Sequence, residues 1–191
     1  MKLEEFRLSQ VADIKTGPFG SQLHKGDYQK EGTPIVTVEH LGSRQFREQN
    51  LPRVADKDRT RLSQYLLQPG DIVFSRVGSV DRSAYVTQEQ DGWLFSGRCL
   101  RVRPKTGINS LYLYYVLNDK RVKSKIRKSA VGATMPSINT QILGELEVSL
   151  PPIETQNKVA KVLDALDSKI ELNSRINKNL DNLNLTRYES R

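Results

Sequence analysis

The sequence predicts an α+β protein, in which a mixed α/β domain with a curved sheet is followed by one long coiled-coil helix. Short β-branched runs separated by glycine and proline turns fill residues 1–150. The stretch from Ile153 to Arg191 contains none of the 12 glycines and none of the 8 prolines of the chain. We therefore divide the chain into a body, residues 1–150, and a helical tail, residues 151–191.

The body contains four runs typical of strands, because apolar and β-branched residues stand there between turn signals. Two further segments are typical of helices. Residues 56–67 begin with acids, and Ser110 is expected to cap a helix that continues to Lys128, with Tyr114 and Ile126 on its inward stripe. The four predicted strands are residues 34–38, 71–75, 84–87 and 146–150.

The tail is predicted to be an amphipathic helix about 54 Å long, at ~1.5 Å per residue. Its apolar residues recur at spacings of four, three and four, which is the seam of a coiled coil. We expect the tail to stand away from the body as a rigid strut that joins another chain, although its first three turns fit packing against the body equally well. The residues expected to contact a partner helix are Val159, Leu163, Leu166, Ile170, Asn173, Ile176, Asn177, Leu180 and Leu183.

The formal net charge of +8 indicates an anionic partner where that charge is concentrated. Between Arg98 and Lys128, ten lysines and arginines accompany one acid, Asp119. The tail carries seven bases and six acids and is nearly balanced. The charge pattern therefore places a polyanion-binding surface on the body.

The sequence offers no pattern typical of catalysis. His24 and His40 stand apart without further ligands, so a structural zinc site is not expected. Phosphate-loop, dinucleotide-binding and nucleophile-elbow motifs are absent from the sequence. The single cysteine, Cys99, excludes an internal disulfide and is expected to be a buried structural thiol. We expect no catalytic residue, metal or cofactor in this chain.

Membrane insertion is not expected, because no apolar run approaches the ~20 residues that span a bilayer. Acids occupy the N-terminal positions where a signal peptide would be apolar. A cytoplasmic protein is the expectation.

Three loops of the body are candidates for contact with a nucleic acid. Residues Arg76–Arg82 form a strand end, a turn and a return, and would present two guanidiniums suited to guanine edges or phosphate. A turn closed by a salt bridge from Arg82 to Asp81 or Asp71 is an equally good interpretation. Residues 17–21 permit close backbone approach to a ligand, although a structural turn under the core is an equally good interpretation. The loop 132–137 is rich in hydroxyls and is a candidate to add backbone donors.

The candidate DNA-binding residues comprise these loops and the basic segments. They are Ser21, Lys25, Arg44, Arg47, Arg76, Ser79, Arg82, Arg98, Lys120, Lys123, Lys125, Arg127, Lys128 and Thr134.

These segments, in this order, resemble the specificity subunit of type I restriction–modification systems over essentially the whole chain. The most specific matches are the loop 132–138 and the run from Leu150 to Gln156 (LPPIETQ), and weaker matches lie at 17–21, 32–35 and 69–78. The resemblance implies one target-recognition domain, reading roughly three to five base pairs through the major groove, and one spacer helix. Members of this family usually carry two of each, so this chain looks like a half-subunit or a truncated product.

The resemblance also implies partners. The implied function is sequence-specific recognition of double-stranded DNA, with no catalysis by this chain. Modification (methyltransferase) subunits would dock on the spacer helix and bind S-adenosylmethionine, and restriction (translocase) subunits are candidates to join them. A two-fold homodimer with antiparallel tails would restore the usual arrangement and read a palindromic site in two halves.

Three other interpretations remain open from the sequence. The chain could be a scaffold or oligomerisation protein with a non-specific basic surface. It could be an RNA-binding module, although its few aromatic residues disfavour stacking on single strands. It could also be the recognition subunit of a methylase-nuclease outside type I, whose recognition domain would look the same.

Overall fold

The structure, a computed structural model, describes residues 3–189, and the side chains in that range except those of Ser21, Lys25, Lys178 and residues 181–189. The strands are β1 (Glu4–Arg7), β2 (Ala12–Thr16), β3 (Thr33–Val36), β4 (Arg53–Val54), β5 (Ile72–Ser75), β6 (Ser83–Tyr85), β7 (Leu94–Phe95), β8 (Cys99–Pro104) and β9 (Glu147–Leu150). The helices are α1 (Leu8–Val11), α2 (Asp56–Arg61), α3 (Ser110–Asn118), α4 (Lys120–Ser129), α5 (Thr140–Gly144) and α6 (Ile153–Glu189).

An antiparallel sheet in the order β2-β8-β5-β6 forms the centre of the body. A second sheet, β4-β3-β7, lies beside it and includes one parallel pair, while β1 and β9 pair with each other. Together with the 37-residue helix α6, these sheets confirm the predicted fold class.

The central sheet separates two hydrophobic cores, because successive side chains of a strand point to opposite faces. Phe74 and Leu100 face a core closed by the helices α3, α4 and α5. Val73 and Cys99 face a second core under the β4-β3-β7 sheet. Cys99 is fully buried, which raises the pKa of its thiol to about 12 and confirms the predicted structural cysteine.

The predicted helix from Ser110 to Lys128 is in fact two helices. Helix α3 ends at Asn118, and Asp119 then takes an extended conformation with ψ 141°. The Asp119 carboxylate accepts a hydrogen bond of 2.8 Å from the Arg121 amide, which caps the start of α4. The short acceptor side chain at this position therefore ends one helix and begins the next.

The segment 56–67 is also less regular than predicted, since α2 ends at Arg61 and a 3₁₀ turn follows at Ser63–Tyr65. The predicted strands are confirmed as β3, β5, β6 and β9 with shifts of one to two residues at their ends. The sequence prediction missed β1, β2, β4, β7 and β8.

Helix α6 does not leave the body at the double proline, so the expectation of a free strut is wrong for its first half. From Ile153 to Glu171, about five turns, it lies against the body. Gln156 and Ala160 are buried there, at 3% exposure each. The docked face carries mainly polar and acidic groups, whereas Val159, Leu166 and Ile170, which were predicted to meet a partner helix, are exposed and Leu163 is half-buried.

Candidate nucleic-acid interface

Four loops meet at one edge of the central sheet, which we call the loop edge and define as residues 17–20, 76–82, 96–98 and 131–137. Strands β2 and β5 end at this edge, and β6 and β8 begin there, because β8 is antiparallel to β2 and to β5. The fold thus brings together three of the sequence segments that were singled out for nucleic-acid contact.

Backbone hydrogen bonds hold the loop edge in one arrangement. The Arg76 amide donates to the Arg98 carbonyl at 2.8 Å, and the Gly78 amide donates to the Pro136 carbonyl at 2.8 Å. The Ile138 amide returns to the Arg76 carbonyl at 2.9 Å. Each loop is therefore bonded to its neighbour through backbone groups alone. The side chains of the loops do not take part in these bonds.

The turn at residues 17–20 packs directly on residues 96–98. A Cβ atom at Gly17 would lie 2.2 Å from the Ser96 carbonyl oxygen, and one at Gly97 would lie 2.6 Å from the Pro18 carbonyl oxygen. Both glycines are therefore needed for packing between loops, which favours the structural interpretation of this turn. The same turn nevertheless presents Phe19 with 63% of its surface exposed.

Arg76 and Arg98 are the arginines that the loop edge leaves available. The Arg76 guanidinium donates one long bond of 3.3 Å from Nη1 to the Gly97 carbonyl, and its buried Nε has no hydrogen-bond partner. Arg98 is exposed, as are the hydroxyl-bearing residues Ser79 and Thr134. Two neighbouring arginines, one exposed and one held by a single long hydrogen bond, are a suitable place for an anionic or carbonyl-rich ligand.

Arg82 is used inside the body. Its Nη2 donates to the Leu41 carbonyl, and the guanidinium packs over Gly42, where a Cβ atom would approach Nη2 to 2.8 Å. Neither of the salt bridges considered for this turn forms. Asp81 pairs with Arg127 at 2.5 Å, and Asp71 pairs with Arg103 at 2.7 Å.

The bases of α4 fall on two sides of the helix. Arg127 pairs with Asp81, which places its side of α4 beside the loop edge, and Lys123 lies one turn earlier on that side. Lys125 instead lines a small cleft with Glu145 and Glu147. Lys120 and Lys128 are exposed. The basic segment that looked continuous in the sequence is therefore divided by the helical period.

Two sequence-predicted arginines lie on the segment between β3 and β4. Arg47 is exposed, whereas Arg44 is engaged with helix α6 through Asp164 and Asp167. Ser21 and Lys25 lie outside the described side chains, so their predicted roles stay predictions.

Exposed apolar side chains mark the loop edge, and the sequence prediction did not include them. Outside α6, the large apolar side chains that are exposed in the described part of the chain are Leu3, Phe19, Val131 and Met135. The last three lie on the loop edge, at 63–64% exposure. Apolar groups gathered around arginines are typical of a surface that binds a partner. Phe19 and Val131 each stand directly before a glycine, Gly20 and Gly132, and this was the available sequence signal.

A cleft of about 600 Å³ opens beside the loop edge, lined by Phe19, Tyr28, His40 and Arg98 among others. The Thr37 amide fixes the orientation of the His40 ring by donating a hydrogen bond of 2.9 Å to its Nδ1. Among the side chains that the structure describes, no three are grouped as metal ligands. No helix in the described part of the chain is long and apolar enough to cross a membrane.

Helix α6 carries a second candidate surface, the exposed stripe, which we define as Val159, Val162, Leu166 and Ile170. Their exposure rises from 37% at Val159 to 62% at Ile170. Farther along the helix, Leu172, Ile176 and Leu180 are also about half exposed. Leu163 is half-buried and Asn173 and Asn177 are exposed, while the side chain of Leu183 is not described.

Replacing Arg82 by alanine should destabilise the body, because the Leu41 carbonyl loses a charged donor. We expect the free energy of unfolding in urea to fall by about 1.5–3 kcal/mol. The Arg98→Ala variant is the control, since an exposed arginine should change it by less than about 0.5 kcal/mol. Equal stability of the two variants would return Arg82 to the set of arginines available for a ligand.

The comparisons with known proteins agree on one family. The model of the type I restriction modification DNA specificity domain matches residues 2–182. The chain is 30% identical over 188 residues to a protein of Methanocaldococcus jannaschii named as the specificity subunit of type I restriction enzyme MjaX, covering 95% of this chain and 43% of that one. It is 26% identical over 138 residues to the HindI specificity subunit of Haemophilus influenzae, covering 70% and 30%.

Solved structures share the fold. The type I restriction-modification S subunit from M. genitalium superposes with a TM-score of 0.64 at 17% identity, over 89% of this chain and 40% of that one. The HsdS subunit from Thermoanaerobacter tengcongensis gives 0.65 at 20% identity, over 91% and 39%. The chain spans less than half the length of each of these relatives. It belongs to the family of type I restriction-modification DNA specificity domains.

Proposed function

We propose that this chain recognises a specific sequence of double-stranded DNA for a type I restriction–modification complex, and that the loop edge reads the bases. The observation that carries the proposal is the pair of neighbouring arginines on the loop edge, the exposed Arg98 and the half-buried Arg76, whose guanidinium makes one long bond of 3.3 Å to the described part of the chain. Family membership supports it. In this proposal the chain selects the DNA sequence that the complex binds, and partner subunits catalyse the reactions.

The chemistry of the loop edge suits base edges in the major groove. An arginine can donate two hydrogen bonds to O6 and N7 of guanine, and apolar groups can contact the methyl group of thymine. Arg76 and Arg98 offer the first kind of contact, and Phe19 and Met135 offer the second. Ser79 and Thr134 add exposed hydroxyls that can serve either bases or phosphates.

The α4 side that faces the loop edge would follow the DNA backbone. Lys123 and Arg127 lie one turn apart there, and each lysine or arginine that neutralises a phosphate releases counterions. Asp81 holds Arg127 in place and leaves less of its charge for phosphate. Lys123 is therefore the main backbone contact that we assign to this helix.

The exposed stripe of α6 would join a second copy of the chain and its methyltransferase partners. A two-fold axis would set two α6 helices antiparallel and place the two loop edges at opposite ends. A helix of about 55 Å limits the unread interval between the two half-sites to ~16 base pairs at ~3.4 Å each. Modification subunits that carry S-adenosylmethionine would bind the same helices, and restriction subunits are further candidates.

A scaffold function is the second candidate, and the exposed stripe is the observation that favours it. In that case the helix alone would carry the function, and the basic body would bind duplexes without regard to sequence. The recognition subunit of a methylase-nuclease outside type I would use the same loop edge, so it differs in its partners and not in its contacts with DNA.

Selection of duplexes from a random library by the purified chain tests the main proposal. We expect a palindromic site split into two halves, and the same site should be methylated in cells that also contain the partner methyltransferase. Arg76→Ala should lose about 1–3 kcal/mol of binding free energy at one base pair, because the bidentate contact is removed.

Arg76→Lys is the matched control for this selection, since it keeps the charge but not the planar fork. It should lose the preference at the same base pair and retain most of the affinity for unselected duplexes. Equal binding of random competitors by the unmodified chain would instead support the scaffold function.

Charge reversal distinguishes the two sides of α4. Lys123→Glu should weaken binding to every duplex and lower the slope of log K against log salt concentration by at least about 0.9, the share of one phosphate contact. Lys125→Glu, on the side facing Glu145 and Glu147, should have a smaller effect on both quantities. Larger effects from Lys125 would place the DNA on the other side of the helix.

Two aspartates in the exposed stripe should prevent dimer formation. We expect Leu166→Asp with Ile170→Asp to sediment as a monomer and to bind a single half-site, because burying two carboxylates in an apolar seam is unfavourable. Lys161→Asp with Ser168→Asp places the same groups on the side of α6 away from the stripe and should remain dimeric. A dimeric stripe variant would contradict the proposed interface.

A further inference from the structure

Two sets of contacts attach helix α6 to the body. The first is next to the double proline, where the Asn109 amide donates to Gln156 Oε1 at 3.0 Å and Asn109 Nδ2 donates to Asn157 Oδ1 at 2.7 Å. Gln156 is also bonded to the Pro151 carbonyl at 2.8 Å. This set fixes where the helix begins, but a single point of attachment leaves its direction open.

The second set lies farther along the helix and fixes its direction. We call it the latch and define it as Arg44, Gln45 and Tyr115 on the body with Asp164, Asp167 and Glu171 on α6. Arg44 pairs with Asp164 and approaches Asp167 to 3.9 Å. Tyr115 donates to Asp167 at 2.9 Å, and Gln45 donates to Glu171 at 2.8 Å.

Arg44 is the central member of the latch because it meets two carboxylates one turn apart. Its side chain is only 18% exposed. Burial alone would lower the pKa of the guanidinium, but the hydrogen bond to Asp164 and the nearby acids raise it above its ordinary value. The Tyr115 pKa is raised above its ordinary value by burial and by the hydrogen bond to Asp167.

The body holds Arg44 on a rigid segment. The Arg44 carbonyl accepts a bond of 2.9 Å from the Tyr85 amide at the edge of the central sheet. Phe46, two residues later, is buried in the second core at 7% exposure. The backbone that carries Arg44 is therefore anchored to the sheet and to the second core, while Asp164 and Asp167 hold the guanidinium from the helix side.

The latch is polar, and polar contacts depend on geometry in a way that apolar burial does not. A helix packed through an apolar face can slide or tilt at small cost, whereas these charge-assisted bonds weaken steeply with misalignment. A tilt of about 10° at the body displaces the far end of a ~55 Å helix by about 10 Å, close to three base pairs. The latch thus controls a distance that matters for reading two half-sites.

We infer that Arg44 is a positioning residue that fixes the angle of α6 against the body and thereby the separation at which two half-sites are read. The inference rests on the proposed recognition of a split site. It gives Arg44 a role in the specificity of the complex without contact to DNA, in place of the DNA contact expected from the sequence.

The experiment uses the full chain and a duplex library in which two copies of the selected half-site are separated by every interval from none to ~20 base pairs. The unmodified chain should select one interval. Arg44→Ala should spread selection over neighbouring intervals by about three base pairs either way and bind the best one roughly tenfold more weakly. Its affinity for an isolated half-site should not change.

Two variants make the result specific to the latch. Asp164→Asn with Asp167→Asn removes the same pairs from the helix side and should give the same spread. Arg59→Ala, which removes an exposed cation of α2, should keep the single interval. Retention of one interval by both latch variants would overturn the inference.

A measurement without DNA separates failure of the inference from failure of the proposed function. Spin labels on cysteines introduced at Thr106 and Asn179, both exposed, report the distance from body to helix end in protein diluted with unlabelled chain. The distance distribution should broaden in Arg44→Ala and not in Arg59→Ala. An unchanged distribution overturns the inference, whereas a chain that selects no split site overturns the proposed function alone.

Discussion

The antiparallel pairing of β8 with both β2 and β5 determines where the loops and the two cores lie. It places the ends of two strands and the beginnings of two others at one edge, so that loops distant in sequence become neighbours. The same strand separates the two cores, since Leu100 and Val102 face one and Cys99 faces the other. A residue inserted in β8 would reverse these faces and separate the loops.

The loop edge and the latch show two different uses of arginine in one chain. Arg82 and Arg44 satisfy groups within the protein, a backbone carbonyl and a pair of carboxylates. Arg98 is exposed, and the Arg76 guanidinium makes one long bond to the Gly97 carbonyl. Because arginine always carries its charge, its function depends on which acceptors the fold brings within reach. Net charge alone could not have distinguished the two pairs.

The sequence predicted what depends on local pattern. The fold class, four strands, the buried Cys99 and the long helix follow from periodicity and from the distribution of glycine and proline. The break at Asp119 was missed because the apolar stripe continues across it. An aspartate was nevertheless an available signal, because its carboxylate can cap a new helix by accepting from the amide two residues later. Short strands such as β4 and β7 were missed because two residues carry no detectable period.

The candidate site was harder to predict, because it depends on contacts between residues that are distant in the sequence. Sequence reasoning found Arg76, Ser79, Arg98 and Thr134 on the loops, but it could not exclude Arg82 or Arg44, whose partners are 41 and 120 residues away. It also missed Phe19 and Met135, because an apolar residue in a loop is assigned to a core unless the fold shows it exposed.

Because the chain breaks between α3 and α4, the contacts with α6 and the basic residues lie on separate helices. Tyr115 and the Asn109 cap of α3 hold the long helix, whereas Lys123 and Arg127 belong to α4. An extended Asp119 between them means that neither helix transmits bending directly to the other. The surface of α4 can therefore take a different charge pattern while α3 continues to hold α6 against the body.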